Sequence, residues 1–125
     1  MIEVMHGFPE EVLAVRGSGR IRAEDYRETL IPETERRIRE NGSLRLLYWL
    51  GRDVDGITAG AMWEDAKVGL THWSEFGRIA VVTDHEWIVG AVRLFRPFFR
   101  HPVRVFSNDA IEEAKRWIVE ADPPS

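Results

Sequence analysis

Apolar residues recur along the chain at two spacings, close to two and close to 3.6, and the switches between them divide it into alternating strands and helices. The clearest switches fall in the run from Ala66 to Trp87, which reads as helix, strand, helix. There Ile79-Ala80-Val81-Val82 is apolar at every successive position, which predicts a strand buried on both faces, as inside a parallel sheet covered by helices.

The rest of the chain falls into place around that strand. Met1–Met5 and Glu11–Gly17 predict a hairpin about the turn residues Gly7 to Glu10, and Gly17-Ser18-Gly19 is read as a turn that ends its second strand. Ala23–Glu40 carries Tyr26, Leu30, Ile31 and Ile38 on a charged background, a surface helix that Pro32 is expected to break. Asn41-Gly42 stops it, and Leu44–Leu50 predicts another central strand. A polar loop, Gly51–Gly56, leads to a helix from Thr58 whose inward face is expected to be Met62, Ala66, Gly69, Leu70, Trp73 and Phe76. Glu64, Thr71 and Glu75 lie opposite, with Asp65 and His72 on one flank. Thr83-Asp84-His85-Glu86 has capping-box spacing and opens a helix apolar almost all round, which stops at Arg96-Pro97. Val103–Phe106 is the last strand, and Ser107-Asn108-Asp109 with Glu112 caps a final helix. The order β-β-α-β-α-β-α-β-α predicts an α/β fold: a mainly parallel five-stranded sheet with an antiparallel edge strand and about four helices. Residues 1–121 are read as one domain and 122–125 as a disordered end.

Composition narrows the chemistry. A chain of 125 residues with 44% hydrophobic content is sized for one core. The formal charge of -4 argues against a nucleic-acid partner, and the absence of cysteine removes disulfides and thiolate chemistry. The opening Met1-Ile2-Glu3-Val4 lacks a signal-peptide layout, so a cytoplasmic location is expected. No histidine pair has metal-ligand spacing, so neither a metal nor another cofactor is expected.

Ligands of open α/β sheets collect where strands end at their carboxyl edge. That rule nominates Asp53, Asp55, Gly56 and Thr58 after one strand and Asp84 after the next, lining a common cleft. The simpler roles are helix-terminal: Thr58 as an N-cap and Asp84 as a first-turn carboxylate. His72 beside Asp65 and Lys67 is the most enzyme-like cluster, although Asp65 and His72 are about 10 Å apart along one helix at ~1.5 Å per residue. A histidine tied to a neighbouring element is the simpler reading.

Gly56, Thr58, Trp63, Asp65, Lys67, His72, Phe76, Arg78, Ala80, Val81, Val82, Asp84 and Trp87 form a pattern that resembles the SpoIIAA-like bacterial proteins, related in fold to STAS domains and compared with CRAL-TRIO lipid-binding domains. The resemblance extends to Asp25-Tyr26, Pro32, Pro97-Phe98-Phe99, Ala114 and Trp117. It implies a STAS-like α/β sandwich. Sporulation-control relatives carry a phosphorylatable serine where this chain has Asp55-Gly56-Ile57-Thr58. Thr58 is the only hydroxyl there, so that switch transfers poorly.

The resulting expectation is a non-catalytic binding or regulatory domain that contacts a protein partner or a small apolar, lipid-like ligand. The alternative is a small enzyme using His72 with Asp53 or Asp55. A homodimer is expected through Trp87, Ile88, Phe95 and Phe99 on the most apolar helix. The segment Arg93–Arg104 alternates arginine with phenylalanine, which reads as packed rings with solvated arginines or as a peripheral contact with an anionic membrane.

Overall fold

The computed structural model describes residues 1–122 and places five strands in one sheet, ordered β1-β2-β3-β4-β5. These are β1 (Ile2–Met5), β2 (Val12–Ile21), β3 (Leu44–Ile57), β4 (Phe76–Val82) and β5 (Val103–Phe106). β1 runs antiparallel to β2 at the edge, and the other pairings are parallel. The helices are α1 (Ala23–Asp25), joined through a π-helical turn (Tyr26–Leu30) to α2 (Ile31–Asn41), then α3 (Ala59–Thr71), α4 (Glu86–Phe95) and α5 (Ile111–Val119). The α/β architecture is therefore the expected one: a mixed sheet with one antiparallel pair.

Strand alternation divides the core in two. Leu13, Val15, Tyr48, Leu50, Ile79 and Val81 face one side, where Tyr26, Leu30, Ala61 and Ile88 cover them. Val12, Ala14, Leu47, Ala80 and Val82 face the other, under Ala114, Trp117 and Ile118 of α5. Right-handed crossovers between strands that neighbour one another in chain order put every connecting helix on the same face. α1–α2, α3 and α4 thus share one side, and α5 is left to lie across β3 and β4 on the other.

Several local expectations are corrected. Gly17-Ser18-Gly19 does not end β2: a bulge there, with Gly19 at φ +59°, carries the strand on to Ile21. Gly51–Gly56 is not a loop either, since Gly19, Arg20 and Ile21 pair with Val54, Gly56 and Ile57. Two glycine-rich polar stretches satisfy each other's backbone, and Ile21 and Val54 are buried. Pro32 does not break the first helix. It falls at the start of α2, just after the π turn, where its missing N–H costs little. The Thr83–Glu86 capping box does not form: His85 is the N-cap of α4, and the Thr83 hydroxyl accepts the His85 N–H at 3.1 Å. Nor does Ser107 cap through its side chain. A short 3-10 turn, Asn108–Ala110, precedes α5.

α3 is turned relative to expectation. Glu64 is 5% exposed, whereas Trp63 is 65% and Leu70 76% exposed, and Met62 and Trp73 are also open to solvent. Its inward line is Ala61, Glu64 and Val68, and the apolar stripe looks away from the sheet.

At the opposite face the end of α5 is clamped by two strand arginines. Buried Arg78 donates to the Trp117 carbonyl at 2.9 Å, lies 5.0 Å from the Trp117 ring centre and pairs with Asp122 at 3.2 Å. Arg45 donates to the Ile118 carbonyl at 3.0 Å and pairs with Asp122 at 3.2 Å. These guanidiniums satisfy carbonyls that a helix C-terminus leaves orphaned. Asp122, assigned to the disordered end, is held by this clamp; residues 123–125 lie outside the described residues.

Replacing Arg78 by methionine keeps the stem over Trp117 but removes its charged hydrogen bonds. Urea denaturation should show a loss of about 2 kcal/mol or more, with faster amide exchange concentrated in α5.

Candidate functional site

The residues nominated at the carboxyl edge do lie near one another, but they are tied together by ion pairs. Arg52, on the extended β3, reaches Asp84 at 3.1 Å and Asp109 at 3.0 Å. Asp84 also accepts the Asn108 backbone N–H at 2.9 Å. That backbone donor first, and the Arg52 guanidinium next, hold the Asp84 carboxyl below its ordinary range. Asp53 pairs with Arg16 at 3.4 Å, Asp55 is exposed, and Gly56 is part of the strand pairing. The Thr58 hydroxyl accepts the Ala61 N–H at 3.1 Å, the N-cap role. Ion pairs thus cross-link the strand edge at which the cleft is expected.

The alternative catalytic set is not assembled. His72 is the C-cap of α3, next to Phe76, which pairs with Leu44 at the start of β3. Asp53 and Asp55 lie toward the far end of that strand, about 30 Å away at ~3.3 Å per residue. The His72 Nδ1 atom is buried without a hydrogen-bond partner and sits 3.7 Å from Glu75. Among the described residues, no group of three or more His, Cys, Asp or Glu side chains is placed to hold a metal ion. No helix there is long and apolar enough to cross a membrane.

A recess of about 450 Å³ lies instead between α2 and α3, lined by Arg27, Ile31, Glu35, Glu64, Lys67 and His72 among others. Three of its charges are spent on one another. Glu64 sits between Lys67 Nζ at 3.1 Å and Arg27 Nε at 3.3 Å. Lys67 foremost, with Arg27, keeps its carboxyl below the usual range despite burial. One turn along, Asp65 is exposed at its outer edge but turns an oxygen inward to the buried Tyr26 hydroxyl, at 3.0 Å. Tyr26 in turn meets the Tyr48 hydroxyl at 3.1 Å. Removal from bulk water raises Asp65 above its ordinary value, against the Tyr26 bond that lowers it. Burial also pushes both phenols up, so they stay neutral donors. Nothing adjacent in the sequence marks these tyrosines as a site. The available signal was a pair of hydroxyls on apolar faces, each of which needs a buried partner.

The opposite flank of α3 is apolar and open. At about 100° per residue, Met62, Ala66, Gly69 and Trp73 form the side toward α4. Contacts agree: a Cβ on Gly69 would lie 3.8 Å from the Phe99 ring, and Arg100 stands 5.7 Å from the Trp73 ring centre. α4 runs parallel to α3 on the same face and turns Trp87, Ala91 and Phe95 back toward it, followed by Phe98. The two helices scarcely touch. Ala66 and Ala91 are exposed, Trp87 is 51% and Phe98 70% exposed, so an apolar valley stays open between them. Of the four residues expected at an interface, Trp87 and Phe95 are open to solvent. Ile88 is buried in the core, and Phe99 packs edge-on against Phe76 at 6.4 Å. Phe99 therefore packs against the body of the protein, whereas Phe95 and Phe98 meet only each other, 6.4 Å between ring centres, at the surface.

Tyr26→Phe should cost about 1–3 kcal/mol, because it leaves the Asp65 oxygen and the Tyr48 hydroxyl without their partner; equilibrium unfolding measures this. The raised Asp65 pKa has a definite sign. Above the unfolded value of about 3.9 the unfolded chain releases a proton that the native chain retains, so this residue's contribution to stability falls as pH rises toward the native pKa. Asp65→Asn, which keeps an acceptor for Tyr26, should become more stable relative to the parent as pH rises from about 4 to neutrality. Parallel stability curves for the two proteins would contradict the assignment.

No curated protein matches the sequence. Among solved structures, an uncharacterised protein with a SpoIIAA-like fold from Shewanella loihica PV-4 superposes with a TM-score of 0.73 at 26% identity, covering 94% of this chain and 92% of that one. The SpoIIAA-like family pattern matches residues 12–119. With that match spanning most of the sequence, the chain belongs to the SpoIIAA-like family.

Proposed function

We propose that this protein is a non-catalytic binding domain of STAS-like type whose site is the apolar valley between α3 and α4, and that its ligand is a small apolar, lipid-like molecule. One observation carries the reading: two helices on one face of the sheet turn apolar flanks toward each other and leave them uncovered. Exposed apolar surface of more than a few hundred Å² is unusual on a protein without a partner. Covering about 300 Å² of it at ~25 cal/mol/Å² is worth about 7 kcal/mol before the cost of immobilising the ligand, so a ligand held at micromolar affinity has to bury more of its chain than this. The ion-paired carboxyl edge and the dispersed His72, Asp53 and Asp55 offer no comparable constellation for catalysis.

A protein segment laid across the same helices is the second reading. Trp63 and Leu70 favour it, because they stand on the crest of α3, pointing out of the valley.

A fluorescent fatty acid should bind the purified protein, with natural ligands visible by mass spectrometry of the native preparation. Ala66→Glu and Ala91→Glu each place a charge on one wall of the valley at an exposed position. Each should weaken probe binding at least about tenfold, ~1.4 kcal/mol, with the melting temperature little changed. Undiminished binding by both variants, or no binding by the parent, contradicts the valley as a ligand site.

A further inference from the structure

We infer that two copies of the chain pair through the outer crest of α4, antiparallel about a two-fold axis that passes beside Gly90. The crest adjoins the valley wall and shares Trp87 with it: it carries Glu86, Gly90, Arg93 and Leu94, all exposed, with Trp87 on the shoulder between the two. Neither Glu86 nor Arg93 has an ion-pair partner among the described residues.

Seven residues separate Glu86 from Arg93, two helical turns, so both project from the same side about 10 Å apart along the axis. That spacing is self-complementary. A two-fold placed midway sets Glu86 of each copy opposite Arg93 of the other, forming two ion pairs per dimer. Trp87 and Leu94 are related by the same interval with a midpoint one residue further on, so an axis at Gly90 brings both pairs within ~1.5 Å of level and sets Trp87 of one copy against Leu94 of the other. At the midpoint Gly90 has no side chain, and nothing of its own molecule lies within 4 Å of where a Cβ would stand, so the helix axes can approach closely.

The charge pattern selects among occupants. An anionic membrane suits Arg93, Arg96 and Arg100 but meets Glu86 on the same crest with repulsion. A second copy satisfies both signs at once. Mispaired charges at such contacts are costly enough to decide partner choice.

Sedimentation velocity at high micromolar concentration should show a dimer. Glu86→Arg and Arg93→Glu should each raise its dissociation constant about tenfold, and the double variant E86R/R93E should return it to within about threefold of the parent. Circular dichroism checks that each variant is folded. A parent that sediments as a monomer overturns the inference, as does a dimer indifferent to the single swaps or a double variant no tighter than either. A monomer that instead co-sediments with phosphatidylserine vesicles also overturns it and assigns the crest to a membrane. The swaps lie outside the valley, so binding of the fatty-acid probe, measured in parallel, fails or survives independently of the dimer.

Discussion

The hydroxyl of Tyr26, held between Asp65 at 3.0 Å and Tyr48 at 3.1 Å, joins the π turn, α3 and β3 at one buried point. With Glu64 clasped by Arg27 and Lys67 one position away, it obliges α3 to present carboxylates to the body of the protein. A helix has one circumference. Once its polar residues are committed inward, Trp63, Met62 and Leu70 must face solvent. The π turn serves the same end, since its extra residue sits where Tyr26 enters the core, at a kind of helical irregularity often found beside functional sites.

The two faces of the sheet consequently differ. Under α5 everything is closed: Ala14, Leu47, Ala80 and Val82 are fully covered, and Arg45 and Arg78 bind the helix end to the strands. On the crossover face, α3 and α4 are anchored along one line each, by Ala61 and Ile88 at their starts, and hold a gap between them. The sheet thus has a closed face under α5 and a more open face under α3 and α4.

Most of the fold could be read from periodicity. The Ile79–Val82 run is buried on both faces, as continuous apolarity required, and the strand order follows from short, right-handed connections. The strand ends were lost because Gly17–Ile21 and Gly51–Ile57 each look like a turn in isolation; their pairing with each other is a property of neither stretch alone. The orientation of α3 was lost for a related reason. Amphipathicity assigns the apolar stripe inward, and only Tyr26 and Arg27, the partners of Asp65 and Glu64 from about 40 positions earlier, reverse that assignment. Of the nominated site, Thr58 caps α3 and Asp84 is bound to Arg52 and to the Asn108 backbone. Met62, Ala66 and Trp73, inward by periodicity, are open to solvent.

The outward stripe of α3 is the claim from which the rest follows, and tryptophan accessibility tests it most directly. Among single-tryptophan variants, one retaining only Trp63 should be quenched by acrylamide nearly as efficiently as free tryptophan. One retaining only Trp117, which is 8% exposed, should be strongly protected. Protection of Trp63 comparable to that of Trp117 in the ligand-free protein would show that α3 turns its apolar face to the sheet, and would contradict this account.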